Sequence, residues 1–328
     1  METSTFDLAV AITTFKRQDL LKILLDSFQS QNIVPRVIFV VDNENSPETK
    51  KLVESYPATQ YIPMDENTGG AGGFSRGIEE AYLSGCEWIW VMDDDVKLLP
   101  HAIENLSQWA KQTENDFAAG KSLGETTAVY QGRRRNFDGS FFYWQYHFLN
   151  KLGIPNPIAP SQFTEHEVSR PMNTLCFEGG LFHRCVVKAI GLPDARFFIY
   201  WDDTIYGYLA SKHTQMLLVS DYILQRTRTL ENVAIGKVRK LNSTSNMSRY
   251  HIMRNRGHMA HYLKLNGDFN RFIFGWGTFL TFCKEVIRLF VSKEVKSGFP
   301  CLIKGHRESR KILKDKTWQP YSEIKPID

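Results

Sequence analysis

Apolar and polar positions along the first hundred residues alternate between two patterns. Short unbroken apolar runs read as strands buried on both faces. They occupy residues 6–14, 36–41, 61–64 and 88–92. Between them, apolar residues return at helical spacing in 19–30, with Leu20, Leu21, Leu24, Leu25 and Phe28, and again from Phe74 through Ile78, Ala81 and Tyr82 to Gly85. Pro47 marks another helix start, with Ser46 as its cap. Strand–helix alternation of this kind predicts an α/β fold with a mostly parallel central sheet flanked by helices, carrying its ligand along the carboxyl edge.

Beyond Leu106 the pattern loosens. Residues 118–122 and 127–131 read as strands, and Gly132 to Asn136, with Arg133, Arg134 and Arg135, as a solvated loop. The aromatic segment 141–148 fits either a core piece or a sugar platform. Residues 165–171 read as loop, 174–183 as a strand broken at Gly179-Gly180, 184–190 as a short helix closed by Gly191, and 196–201 as a strand running into Asp202-Asp203.

Two acidic clusters carry the chemistry. Asp93-Asp94-Asp95 follows the apolar run Trp88 to Met92. Strand alternation sends Asp93 and Asp95 to one side and Asp94 to the other. Two carboxylates so placed repel unless a cation sits between them, and a hard ion such as Mg²⁺ or Mn²⁺ completed by a phosphate suits them. An Asp-rich turn before a helix near Pro100 accounts for one Asp better than for three. Asp202-Asp203 follows the aromatic run ending at Trp201, where a carboxylate with a raised pKa could act as a general base; the alternative is a helix cap. The glycines between Gly69 and Gly73 do not keep the dinucleotide spacing and follow the third strand. They line an anion or sugar, or they form a tight turn.

Composition changes the picture only at the C-terminus. The chain has a net charge of +4, but residues 249–328 hold 16 Lys/Arg against 7 Asp/Glu. A basic, largely helical extension (249–328) on an acidic catalytic domain (1–248) points to an anionic surface. Five scattered cysteines suit reduced thiols in a cytosolic protein, with neither a secretory signal nor a membrane span expected. His251, His258 and His261 read as packed or solvated rather than as metal ligands.

The segments AITTFKR (11–17), VDNENS (41–46), NTGGAGGFSRG (67–77), WIWVMDDDVKLLP (88–100), GLPDARFFIYWDD (191–203) and RYHIMRN (249–255) together resemble the bacterial family 2 glycosyltransferases of GT-A fold, especially the galactofuranosyl- and rhamnosyltransferase-like branch. The resemblance implies a donor site made of Thr13, Thr14, Phe15, Arg17, Asp42 (toward the nucleotide base), Asn43, Asn67, Gly69, Gly70, Gly73, Arg76, Asp93 and Asp94. It implies a metal (Mn²⁺ or Mg²⁺) on Asp93 and Asp95, and Asp203 as base with Asp202 beside it. Trp201, Trp144, Glu178 and Gly179 fall on the acceptor side.

The implied reaction is inverting transfer of a sugar, galactofuranose from a UDP-sugar first and rhamnose from dTDP as the alternative, to a lipid-linked or growing surface glycan. The implied location is the inner membrane face, without nucleic acid and with a homo-oligomer left open. Rival classes are nucleotidyl transfer and a non-catalytic sugar-binding module. Three positions depart from the family: Ile205 and Leu209 replace an acid and an arginine, and Gln225-Arg226 stands where a metal-binding histidine is common. His213 precedes that strand and is given no role.

Overall fold

A computed structural model describes residues 5–142, 146–156, 163–229, 232–235, 239–242 and 244–321. The first half alternates as the sequence predicts: β1 (Thr5–Thr14), α1 (Gln18–Gln29), β2 (Val34–Asp42), α2 (Pro47–Glu54), β3 (Thr59–Pro63), α3 (Gly69–Leu83) and β4 (Trp88–Asp93). Then come β5 (Val96–Leu98), α4 (Ala102–Ala118), β6 (Thr127–Arg135), β7 (Phe148–Leu149), β8 (Ile154–Pro155), β9 (Ser169–Pro171) and β10 (Gly180–His183). The remainder is α5 (Arg184–Ile190), α6 (Asp202–Ala210), β11 (Gln215–Arg226), β12 (Asn232–Ile235), β13 (Arg239–Asn242), α7 (Asn246–Arg254), α8 (Arg256–Leu265), α9 (Arg271–Ser292) and α10 (Val295–Lys314).

The main sheet has the order β3-β2-β1-β4-β10-β6-β11-β5, with β9 also on β11. β3, β2, β1 and β4 are mutually parallel, and β10 runs antiparallel to both β4 and β6. Both faces are buried, which is why the strands read as continuous apolar runs. Leu8, Val10 and Ile12 join Trp88, Trp90 and Met92 in one layer, while Ala9 and Ala11 join Ile89 and Val91 in the other. The second layer uses small residues because α3 comes very close. A Cβ on Gly77 would lie 3.0 Å from the Ala11 Cβ.

Several elements differ from the sequence reading. Residues 102–118 form one helix, so no strand begins at Ala118. The arginine run belongs to β6, and Arg134 is 4% exposed. Ser169–Pro171 is a strand paired with β11, and only Gly180–His183 of the 174–183 segment is a strand. Residues 196–201 form a 3₁₀ turn and loop rather than a strand, because Phe198, Tyr200 and Trp201 all take positive φ.

The C-terminal helices share a core with elements of the preceding α/β part. Ile252, Met259, Tyr262 and Phe274 pack with Trp201, Ile205, Tyr208 and Ala71. Trp318 donates to His258 Nδ1 (2.9 Å) and stacks on His261, so both histidines are structural. Among the described residues no helix is long and apolar enough to cross a membrane.

Candidate active site

The register of the parallel strands delivers the acidic turn. Asp93 ends β4 opposite Thr13, and Thr14 stands opposite Asp42. The three carboxylates then diverge. Asp94 is fully buried, accepting from Thr14 Oγ1 (2.6 Å) and Arg17 Nε (3.1 Å) and pairing with Arg17 Nη2 (2.7 Å). It anchors the turn within the protein, tying it to the loop after β1. Burial pushes it up to about 6, against the pull of Arg17 and the Thr14 hydroxyl.

Asp95 meets two guanidinium groups, Arg17 Nη1 at 3.3 Å and Arg228 Nε at 2.5 Å, both on Oδ2. No donor among the described residues bonds Asp93. Burial, together with the charges of Asp95 and Glu178, raises its pKa well above the usual carboxylate range. The Asp95 charge acts on Asp93, and a carboxylate pair of this kind suits a divalent ion completed by phosphate and water. The protein supplies only that pair: among the described residues no three His, Cys, Asp or Glu side chains cluster closely enough to hold a metal.

The rest of the predicted donor wall is mostly scaffold. Asp42 is 0% exposed and accepts from the amides of Glu44 and Ser46 and from Tyr61 Oη. Its carboxylate shapes the 43–46 turn, with its oxygens taken by these three donors. Asn43 Oδ1 accepts from the Thr68 amide and hydroxyl while Nδ2 donates to Gly69 O, and Asn67 Oδ1 accepts from the Gly69 amide. Gly73 is glycine because a Cβ there would lie 2.3 Å from Thr13 Cγ2, whereas a Cβ at Gly70 would meet open space. Arg76 pairs with Glu80 one turn along α3, and Phe15 is half-exposed beneath the Lys16 ammonium.

A buried ionic chain leaves this edge. Glu178 Oε2 accepts from Arg226 (2.6 Å) and Arg134 (2.7 Å), and Arg134 Nη1 also reaches Cys176 Sγ (3.5 Å). Glu178 is thus saturated on that oxygen by arginine, and Gly179 has φ 103° with Leu224 where a side chain would go. Neither presents a surface to an acceptor, against expectation. The Cys176 thiol, at the far end, is near enough to Asp203 to help hold its pKa down.

Asp202 and Asp203 open α6, immediately after the strained loop. Asp203 Oδ1 accepts from the Thr204 amide (2.5 Å) and hydroxyl (3.1 Å). Burial raises its pKa, while Thr204, Cys176 and the Arg134 charge oppose the rise. Asp202 is raised too, by burial and by the Asp203 charge, which leaves Asp203 the better placed of the two to act as an anion. Trp201 is only 8% exposed and its indole donates to Ile252 O (3.0 Å). It packs in the core and offers no free face for stacking. Trp144 lies outside the described residues.

The loop conformation costs energy and is held from a distance. Asn255 Nδ2 donates to the carbonyls of Phe197 (2.8 Å), Ile199 (2.8 Å) and Tyr200 (3.0 Å), and Arg254 bonds Arg196 O. From the other side, Phe198 O accepts from the Ala71 amide (3.0 Å). A Cβ on Gly69 would lie 2.1 Å from that same oxygen. The donor turn and the Asp203 loop are therefore in direct contact.

Sequence reasoning gave no role to Arg228, Arg134, Cys176 or Asn255. The signals were present: Arg228 stands two residues past the departure at Gln225-Arg226, and Asn255 ends the RYHIMRN segment.

The family model for "Glycosyl transferase family 2" matches residues 9–188. Galactofuranosyltransferase GlfT1 of Mycolicibacterium smegmatis is 31% identical over 207 residues, covering 61% of this chain and 64% of that one. The chain thus spans under two thirds of that relative's length. A GalNAc(5)-diNAcBac-PP-undecaprenol beta-1,3-glucosyltransferase of Campylobacter jejuni is 31% identical over 110 residues, 32% of this chain and 35% of the other. Among solved structures, S. aureus TarS 1–349 in complex with UDP-GlcNAc superposes with a TM-score of 0.56 at 14% identity, covering 93% of this chain and 81% of TarS. That likeness is one of fold, the GT-A arrangement. With more than half the chain matched by the family model and the acidic turn at the edge where the sheet delivers it, the chain belongs to glycosyl transferase family 2.

Proposed function

We propose that this chain is an inverting, divalent-metal-dependent glycosyltransferase that moves galactofuranose from UDP-galactofuranose onto a lipid-linked or growing surface polysaccharide. One observation carries the reading: the turn that opens α3, beside the edge bearing the acidic turn, touches the loop before Asp203, the Ala71 amide donating to Phe198 O (3.0 Å). That contact supports reading the two carboxylate centres as parts of one site. The identity to mycobacterial galactofuranosyltransferases supports the donor, and the Campylobacter relative is named for an undecaprenyl-diphosphate-linked acceptor.

Asp93 and Asp95 would hold Mn²⁺ or Mg²⁺, which supplies charge to offset the diphosphate as it departs. Arg228, half exposed on Asp95, adds a fixed cation at the same edge. Asp203 accepts the proton of the acceptor hydroxyl. The acceptor oxygen forms the new bond to the anomeric carbon as the bond to the diphosphate breaks, so one displacement inverts the centre and releases UDP. The raised pKa of Asp203 makes its anion a stronger base than an exposed aspartate. The basic C-terminal helices approach the inner face of the membrane, where a lipid-linked acceptor resides.

The test is product formation from UDP-galactofuranose and from dTDP-rhamnose, with Mn²⁺ and with chelator. Metal-dependent turnover of the first supports the reading. Turnover of the second alone moves the donor to rhamnose, and binding without turnover of either makes the chain a sugar-binding module.

A further inference from the structure

The longest helix has two apolar faces, and only one of them is used. On its inner side α9 is fixed to the body. The fully buried Arg256 donates to the hydroxyls of Thr278 (2.8 Å) and Thr281 (3.3 Å), and a Cβ on Gly277 would lie 1.9 Å from Leu152 O. On its outer side Phe272 (86% exposed), Trp276 (57%), Phe279, Ile287 and Phe290 (66%) follow at spacings of four, three, eight and three residues, all on one side of the helix. They form one stripe along a helix about 33 Å long. Single exposed apolar residues need no explanation, but a continuous stripe of this length does.

Charge around the stripe identifies what covers it. The only acidic residue on α9, Glu285, is fully buried and bonded to Arg288 and Thr244. The exposed charges on and beside the helix include Arg271, Lys284, Lys293 and Lys296, all cationic. Glu294, at the turn after α9, is taken by Arg249. Aromatic residues along one line, edged by Lys and Arg, match the chemistry of the headgroup boundary of an anionic bilayer. A second copy of the chain seated on the same face would bring like charges together.

We infer that the outer face of α9 lies in the plane of an anionic lipid surface, with Phe272, Trp276 and Phe290 entering the interface. The proposed lipid-linked acceptor gives this surface its purpose, and the inference rests on that reading to that extent. The membrane contact is thereby assigned to the aromatic stripe of α9, with the surrounding cations as its electrostatic complement.

The experiment is co-sedimentation of the full chain with vesicles of phosphatidylcholine alone or mixed with phosphatidylglycerol. The wild type is expected to bind the mixed vesicles, more weakly at high salt, with a blue shift of tryptophan emission. The combined Phe272→Ser, Trp276→Ser and Phe290→Ser variant is expected to bind at least about tenfold more weakly, while hydrolysing soluble donor like the wild type. No binding by the wild type, or equal binding by the variant, overturns the inference. A wild-type dimer in light scattering that the variant converts to monomer also overturns it, by showing a second copy on the stripe. Vesicle binding without donor hydrolysis would sink the transferase reading and leave this one standing.

Discussion

The two acidic centres are built in opposite ways. Asp93 to Asp95 are delivered by a strand that pairs with β1 on one side and β10 on the other, and the charges of Asp94 and Asp95 are met by guanidinium groups close by. Asp202 and Asp203 follow a loop with three positive-φ residues, held by one amide group from position 255. The first centre owes its position to the sheet and its partners to local charge. The second finds its hydrogen-bond partner next door, in Thr204, and owes its position to contacts distant in the chain. A site made the first way tolerates loop changes elsewhere, and one made the second way does not.

The sharpest division between the centres comes from Asp203→Asn, which should cut transfer by about 10³-fold. UDP affinity, followed by calorimetry, should stay within about twofold because the donor edge is untouched. Equal loss of both would erase the distinction. Asp93→Asn should reverse the pattern, lowering metal-dependent donor affinity and turnover together by about 10²-fold; an unchanged metal requirement would remove the cation from that turn.

Asn255→Ala tests whether the clamp serves geometry. Losing three hydrogen bonds to buried carbonyls should destabilise the fold by about 2–3 kcal/mol. Displacement of the base should lower kcat by about 10- to 100-fold with donor binding intact. A variant that is destabilised but fully active would show that the loop keeps its shape unaided.

The smallest effect is a pH shift. Burial raises the Asp203 pKa and the acting form is the anion, so the rate should fall as pH drops through a value above the ordinary ~3.9. Cys176→Ala removes a thiol whose proximity favours the anion, so the acid limb should move further up, by under about one pH unit. An unmoved limb would remove the thiol from the site.

Strands β1 to β4 and the Asp93 turn were legible because burial on both faces leaves an apolar run that little else imitates. The glycines of α3 were legible as important but not in kind. Gly73 and Gly77 are required by close approach, and only Gly69 among the cluster needs positive φ. Arg133 to Arg135 misled because three consecutive cations resemble a solvated loop. The acid that neutralises Arg134 is Glu178, far along the chain, and Arg133 lies over the ring of Tyr222. Residues 196–201 misled because aromatic residues imitate a strand. Their conformation comes from Asn255, and no local pattern encodes that.

The meeting of Gly69 with Phe198 O has a consequence for exchanging parts among relatives. The turn that opens α3 and the segment before α6 are two halves of one mould, closed to within less than a methyl group. A chimera that imports a new acceptor segment must therefore bring the matching turn with it. Swapping either alone forces the backbone apart at the seam, so the two segments are inherited jointly.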